Sequence, residues 1–204
     1  MISEYTAFLE RAFTILNNHY FGGELPEPVI TIQSSPRAYG HFTTQRIWTD
    51  QENSYYEINI SAEHLDRPIE NILATLLHEL VHMYSIENNI ATVSKGGRYH
   101  NKLFKAEAEK RDLHISYTKY IGYSVTQPTE KFVETLRQYG LLDMDIKHCR
   151  GGGMDNGGIK PTITKKPSST RKYMCPYCGQ QIRATKDVYI LCGYCGVSME
   201  KVDT

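Results

Sequence analysis

The chain predicts an α+β protein in which a small, partly antiparallel sheet packs on helices and a second, compact β unit follows at the C-terminus. Three observations carry this. Apolar residues at helical spacing open the chain and recur through its middle. Between them lie short runs rich in valine, isoleucine and tyrosine, bounded by glycine, proline and polar turn residues. Past residue 146 the composition shifts to glycine, proline, serine and lysine, and two Cys-x-x-Cys pairs then close the chain. At 204 residues and 40% hydrophobic content there is enough chain for one sizeable core and a small appendage.

The first helix has Ser3 as its expected N-cap, and Ala7, Phe8, Arg11, Ala12, Ile15, Leu16, His19 and Tyr20 follow its spacing. Gly22 and Gly23 stop it, and His19 is expected to act as a cation at its C-terminal end. Strands are predicted over 29–32, 39–48 and 55–60, with the polar stretch 50–54 as a turn. Pro68 starts a long helix that runs to about residue 89. A further helix is expected over 101–112, and another over 129–139 with Gly140 behind it as its cap. The tyrosine-rich stretch 115–125 fits neither period. His41, His64 and His114 stand at no ligand spacing and are expected on the surface or in hydrogen bonds.

The long helix contains His78-Glu79-Leu80-Val81-His82. Two histidines four apart lie one turn apart on the same helix face, so both imidazoles can reach one metal ion. The glutamate between them then sits beside the open coordination position. Ile72, Leu73, Leu76, Leu77, Leu80, Val81 and Met83 occupy most of the circumference, so the helix is expected to be buried nearly all round. Thr75, His78, Glu79 and His82 form a narrow polar stripe inside that core. A buried ionisable stripe needs partners to offset desolvation, and a metal supplies them. The pattern is that of zinc-dependent peptide hydrolases.

Such sites take three protein ligands. In the H-E-x-x-H-x-x-G-x-x-H class the third comes six residues after the second histidine. Here that position is Asn88, and Ser85 replaces the glycine, so the class is excluded. His100 is the leading third ligand. It stands between the Gly96-Gly97 loop and the next helix, where it can turn back on the first. Glu107 and Glu109 on that helix are the alternatives.

A helical HExxH, a glycine-containing loop and then Tyr99-His100-Asn101, with Phe104-Lys105 beyond, resembles the SprT-like metallopeptidases, which include the Spartan-type DNA–protein crosslink proteases. Similar stretches are Tyr20 through Pro26, Ala38 through Phe42, Ile58 through Ser61 and Gly122 through Thr126, so the resemblance covers nearly the whole chain. It implies a zinc metalloprotease acting on proteins bound or crosslinked to DNA. His78, His82 and His100 would hold the catalytic zinc, and Glu79 would be the catalytic base. Arg98, Tyr99 and Tyr123 are the candidates for stabilising an oxyanion.

Three segments are expected: a metallopeptidase domain over 1–146, a basic linker over 147–172, and a zinc ribbon over 173–204. Cys175, Cys178, Cys192 and Cys195 form a C-x-x-C…C-x-x-C set, the spacing of a four-thiolate structural zinc site. Two zinc ions per chain are therefore expected, one catalytic and one structural. So small a ribbon should depend on its metal to fold. Cys149, the fifth cysteine, is expected as a free thiol.

The formal net charge of zero hides an asymmetry. Residues 1–146 hold 13 Lys and Arg against 19 Asp and Glu, residues 147–186 hold nine against one, and the last eighteen hold one against three. A basic tail on an acidic domain points to phosphate contacts. Lys165, Lys166, Arg171, Lys172, Arg183 and Lys186 are the candidate cations. Tyr177 and Tyr194 among them suit stacking on unpaired bases. Two other readings stand beside this one: a nucleic-acid-binding or regulatory zinc protein with a non-catalytic HExxH domain, and a general metallopeptidase with no DNA role. No stretch approaches a membrane span and the N-terminus carries no basic-then-apolar leader, so a cytoplasmic or nucleoid-associated location is expected.

Overall fold

A computed structural model describes residues 2–94, 97–146, 148–151 and 171–202. The chain divides into two compact units, Met1–Gly153 and Met154–Thr204.

In the first unit, helix α1 (Ile2–Phe21) is already helical at Ile2, so Ser3 lies inside its first turn instead of capping it. Strand β1 (Val29–Gln33) follows, then the short β2 (Gly40–Phe42), the two-residue β3 (Trp48–Thr49) and β4 (Ser54–Tyr55), and β5 (Glu57–Ser61). The single strand expected over 39–48 is thus two, β2 and β3. The break lets the Trp48 indole turn back and donate to the buried Glu57 carboxylate at 2.5 Å. The first sheet has the order β1-β5-β2, with β1 parallel and β2 antiparallel to β5. Ile58 and Ile60 on β5 face the helices and are fully buried. Glu57, Asn59 and Ser61 alternate onto the other face, as strand periodicity requires.

Helix α2 (Ile69–Glu87) fills the centre. Its residues Leu73, Leu76, Leu77 and Leu80 are completely buried in one core with Leu9, Ala12 and Leu16 of α1. Each buried leucine contributes about 1.5–3 kcal/mol relative to an exposed one. This is how a helix carrying His78, Glu79 and His82 is kept inside. Strands β6 (Val93–Ser94) and β7 (Tyr99–His100) lead into helix α3 (Lys102–Glu109). Asn101 caps α3, its side chain accepting from the Leu103 and Phe104 N–H groups. Next come β8 (Leu113–Thr118), β9 (Gly122–Pro128) and helix α4 (Glu130–Gln138), with Thr129 as N-cap. The tyrosine-rich stretch is therefore the β8–β9 hairpin, and the second sheet has the order β6-β7-β9-β8.

The unit reaches past residue 146. His148 Nδ1 lies 2.9 Å from the Tyr5 hydroxyl, and the Arg150 N–H donates to the Ala62 carbonyl at 2.7 Å. These bonds tie residues 148–151 to the first unit, within the stretch expected as a linker. Residues 147 and 152–170 of that expected linker, Lys165 and Lys166 among them, lie outside the described residues.

In the second unit, β10 (Arg171–Met174) is flanked by β11 (Gln181–Ala184) and β12 (Glu200–Val202), both antiparallel to it. Tyr173, Cys175, Cys192 and Met199 form its small core. Among the described residues no helix is long and apolar enough to cross a membrane.

Candidate metal centres and cleft

The periodicity of α2 places His78 and His82 on one face, and strand β7 brings His100 to meet them. His82 Nε2 lies 3.2 Å from His78 Nε2 and 2.9 Å from His100 Nε2. The nitrogens of a tetrahedral zinc with bonds of about 2.0–2.1 Å stand about 3.3 Å apart, so three imidazole nitrogens face one another at ligand spacing. Burial first, and then their mutual repulsion, lowers the basicity of the group. His78 is held well below the ordinary imidazole range and His82 at about 3, while burial also lowers His100. Neutral imidazole is the form that ligates a metal. With Nε2 turned inward, His78 Nδ1 carries the proton and donates to Thr126 Oγ1 at 2.6 Å; that hydroxyl donates onward to the Ser124 carbonyl at 3.5 Å. Such an outer hydrogen bond fixes the tautomer of a ligand histidine.

Phe104 lies beneath all three rings, with centroid distances of 4.5 Å to His78 and 4.6 Å to His82 and His100. Glu107 and Glu109, the alternative ligands, are engaged elsewhere. Glu107 accepts from Lys110 and Arg111, and Glu109 pairs with Lys105.

Two glycines close the site. At Gly122 φ is +73°, and a Cβ built there would lie 2.1 Å from the His100 carbonyl oxygen. The backbones of β9 and β7 therefore touch, and the His100 N–H donates to the Ile121 carbonyl at 3.0 Å. At Gly40 a Cβ would meet the Thr75 methyl at 2.9 Å and Glu79 Oε1 at 3.2 Å. This lets the edge strand β2 lie directly on α2. Burial pushes the Glu79 carboxyl up to about 8, opposed by the Phe42 backbone N–H, which donates to it. A cation in the histidine cluster would pull it back down.

A cleft of about 540 Å³ opens over His78, Glu79 and His100. Arg98 lies on its wall. Tyr99 and Tyr123 instead engage Tyr117, the first by a side-chain hydrogen bond and the second by ring contact at 5.2 Å. His64, expected on the surface or in hydrogen bonds, also lines the cleft and packs edge-on against Tyr39 at 4.9 Å. His41 borders the neighbouring hollow, beside Glu79 and His82. Thr126, Phe104, Gly40 and Gly122 are the site residues whose roles were not read from the sequence.

The second unit gathers Cys175, Cys178, Cys192 and Cys195 with all ligand atoms within 4.8 Å of one another. The two knuckles repeat the same turn. Gly179 N–H donates to the Cys175 carbonyl and Gly196 N–H to that of Cys192, with φ of +70° and +68° at the two glycines. Backbone N–H groups of Cys178 and Tyr177 point at the Cys175 sulfur and help to bring its thiol down to about 7. The four thiols fit a zinc ribbon. Of the candidate nucleic-acid residues here, Tyr177 and Tyr194 are 79% and 88% exposed, and Arg183 and Lys186 are exposed. Arg171 is held by Asp187 at 2.9 Å, and Lys172 is partly buried. Cys149, in the first unit, is exposed.

Fold and site together define an α+β protein in which two histidines and a glutamate of a buried helix meet a third histidine from a short strand. The model of the SprT-like family matches residues 9–120, so the chain belongs to the SprT-like family, a metallopeptidase-like group. The match ends before β9, so Thr126 and the ribbon lie beyond it, and the near-complete resemblance drawn from the residues holds over this shorter span. Comparison with curated proteins and with solved structures returns no match.

Proposed function

We propose that the protein is a zinc-dependent endopeptidase acting on DNA-bound or DNA-crosslinked proteins. The observation that carries the peptidase reading is the convergence of three imidazole nitrogens beside the buried Glu79 carboxylate, at the floor of an open cleft. His78, His82 and His100 would hold one zinc, and Cys175, Cys178, Cys192 and Cys195 a second, structural one. Zinc at the histidines supplies Lewis acidity, which acidifies water and polarises a carbonyl.

The chain's own groups do the rest. Glu79 takes the proton of the attacking water and later delivers it to the leaving amine nitrogen. Thr126 holds His78 in the ligating tautomer. The edge strand β2 offers its backbone to an extended substrate, and Gly40 keeps that edge close to Glu79. Arg98 is the cleft-wall candidate for a developing oxyanion.

The DNA half of the reading is supported by the basic composition of residues 147–186 and by the exposure of Tyr177 and Tyr194. The deciding experiment compares wild type and Glu79→Gln, zinc-loaded, on a protein substrate with and without single-stranded DNA. Hydrolysis that depends on Glu79 and rises with DNA is expected, with Glu79→Gln slower by at least about a hundredfold. Activity of Glu79→Gln near wild type removes the glutamate from the mechanism. Cleavage indifferent to DNA leaves a general metallopeptidase.

A further inference from the structure

The walls of the cleft carry more positive charge than a single oxyanion contact requires. Its lining includes Arg37, Arg98 and His64, and among the described residues Glu79 is the one carboxylate on it. Neither Arg37 nor Arg98 makes an ion pair with a described residue, and both are exposed. A third guanidinium stands behind the wall. Arg67 lies 4.0 Å over the Tyr39 ring and bonds to Thr75 Oγ1, the His64 carbonyl and the Asn71 carbonyl, with the Asp66 carboxylate as its nearby charge partner, so Arg37 and Arg98 are the cations left without one among the described residues. The lining also has an apolar part: Ile121 and Val125, 45% and 40% exposed, border the same cleft in an otherwise acidic unit. Unneutralised arginines around a catalytic groove are a selection device. They attract an acidic side chain and impose a desolvation and repulsion penalty on a basic one.

We propose that the cleft selects polypeptide segments with an acidic residue beside an apolar one next to the scissile bond, and discriminates against lysine and arginine there. Arg37 and Arg98 are the specificity-determining residues, and Ile121 and Val125 form the apolar seat. The inference rests on the peptidase reading given above and supplies its substrate class. A protein whose tail is basic would thereby be a poor substrate for its own cleft.

The test uses the full-length, zinc-loaded protein and three quenched peptides that differ only in having Glu, Gln or Lys flanking the cleaved bond. The expected order of kcat/KM is Glu, then Gln, then Lys, with about tenfold between the ends at low salt and a smaller ratio at high salt. Arg37→Glu/Arg98→Glu reverses the order, and Arg37→Gln/Arg98→Gln collapses the ratio towards one. The same order should appear in binding of the three peptides to Glu79→Gln, which reads selection without turnover and decides the matter even if a charge-swap variant turns over nothing. Equal cleavage and binding of all three peptides, or preference for Lys, overturns the inference while zinc-dependent hydrolysis of the Gln peptide leaves the peptidase reading standing. Equal peptide use combined with inhibition by a short oligothymidylate that Arg37→Gln/Arg98→Gln relieves also overturns it, and assigns the arginines to phosphate.

Discussion

Substituting Gly122 by alanine should unseat His100 while leaving the rest of the molecule folded. The backbone at Gly122 has φ of +73°, and the left-handed region costs a non-glycine residue about 1–2 kcal/mol. The added Cβ would also stand 2.1 Å from the His100 carbonyl oxygen, a backbone atom with no rotamer to escape into. Strands β7 and β9 must part by about 1 Å, and overpacking of that kind costs about 1–3 kcal/mol more. The expected destabilisation is therefore about 2–5 kcal/mol. Because the displaced residue carries a ligand, zinc affinity at the histidines should fall about 10- to 100-fold, the range for disturbing a ligand's support. The four-cysteine site serves as an internal reference and should stay loaded. Gly140→Ala is the control: its φ is +62° but nothing lies within 4 Å of the built Cβ. It should lose about 1 kcal/mol and no zinc. Competition with a chromogenic chelator measures affinity, and denaturant unfolding measures stability. If Gly122→Ala holds both zinc ions as tightly as wild type, the contact between β7 and β9 does not position His100.

Thr126→Val removes the hydroxyl that accepts from His78 Nδ1 while keeping its volume; histidine-site zinc affinity should fall about tenfold and Thr126→Ser should keep it, read by the same chelator titration. Glu63 is held at about 2 by the Ser34 hydroxyl first, with the Ser35 N–H and Ser61 also donating. Its folded value is depressed, so its contribution is present above the ordinary carboxylate range and is lost as pH falls from about 4.5 towards 2. Glu63→Gln should flatten stability against pH in that window, followed by the fluorescence of Trp48, the single tryptophan, in chelator-treated protein. A variant whose acid profile overlays that of wild type removes Glu63 from the acid response. Deleting residues 154–204, a cut that spares the His148 and Arg150 contacts, should abolish most DNA affinity and leave the histidine site able to bind zinc. Binding by the full chain should weaken steeply with salt. A truncated protein that binds DNA as tightly as the full chain puts the nucleic-acid site on the first unit.

The histidine pair and the four cysteines were legible because their chemistry is local. A four-residue spacing fixes a helix face, and a Cys-x-x-Cys pair fixes a knuckle, whatever the rest of the chain does. His100 was within reach because a glycine-containing loop and the Asn101 cap bracket it. The supporting residues carry no such mark. Thr126 lies 48 positions from His78, and a lone threonine in a strand looks like any other. Gly40 reads as a strand glycine until α2 is seen pressed against it. Phe104 reads as one more apolar residue on the face of α3. The strand expected over 39–48 failed for a related reason: its alternation continues through the residues, but the bend is set by Glu57, buried on another strand and in need of the Trp48 donor. Ser3 has the chemistry of a cap, yet a helix end is decided by where the chain starts to turn, which one side chain does not control.

The three histidines are not held with equal firmness, and that difference sets how the site exchanges its ion. His78 and His82 belong to a helix whose core residues are completely buried, so they separate only when the unit as a whole opens. His100 sits on a two-residue strand and is only half-buried, next to exposed residues 97 and 98. Opening two short strands is far more frequent than global unfolding. Release of an ion held there would then be timed by the fraying of β6 and β7, with His100 letting go first. The residence time of a bound metal would then be a property of a few backbone hydrogen bonds near the surface.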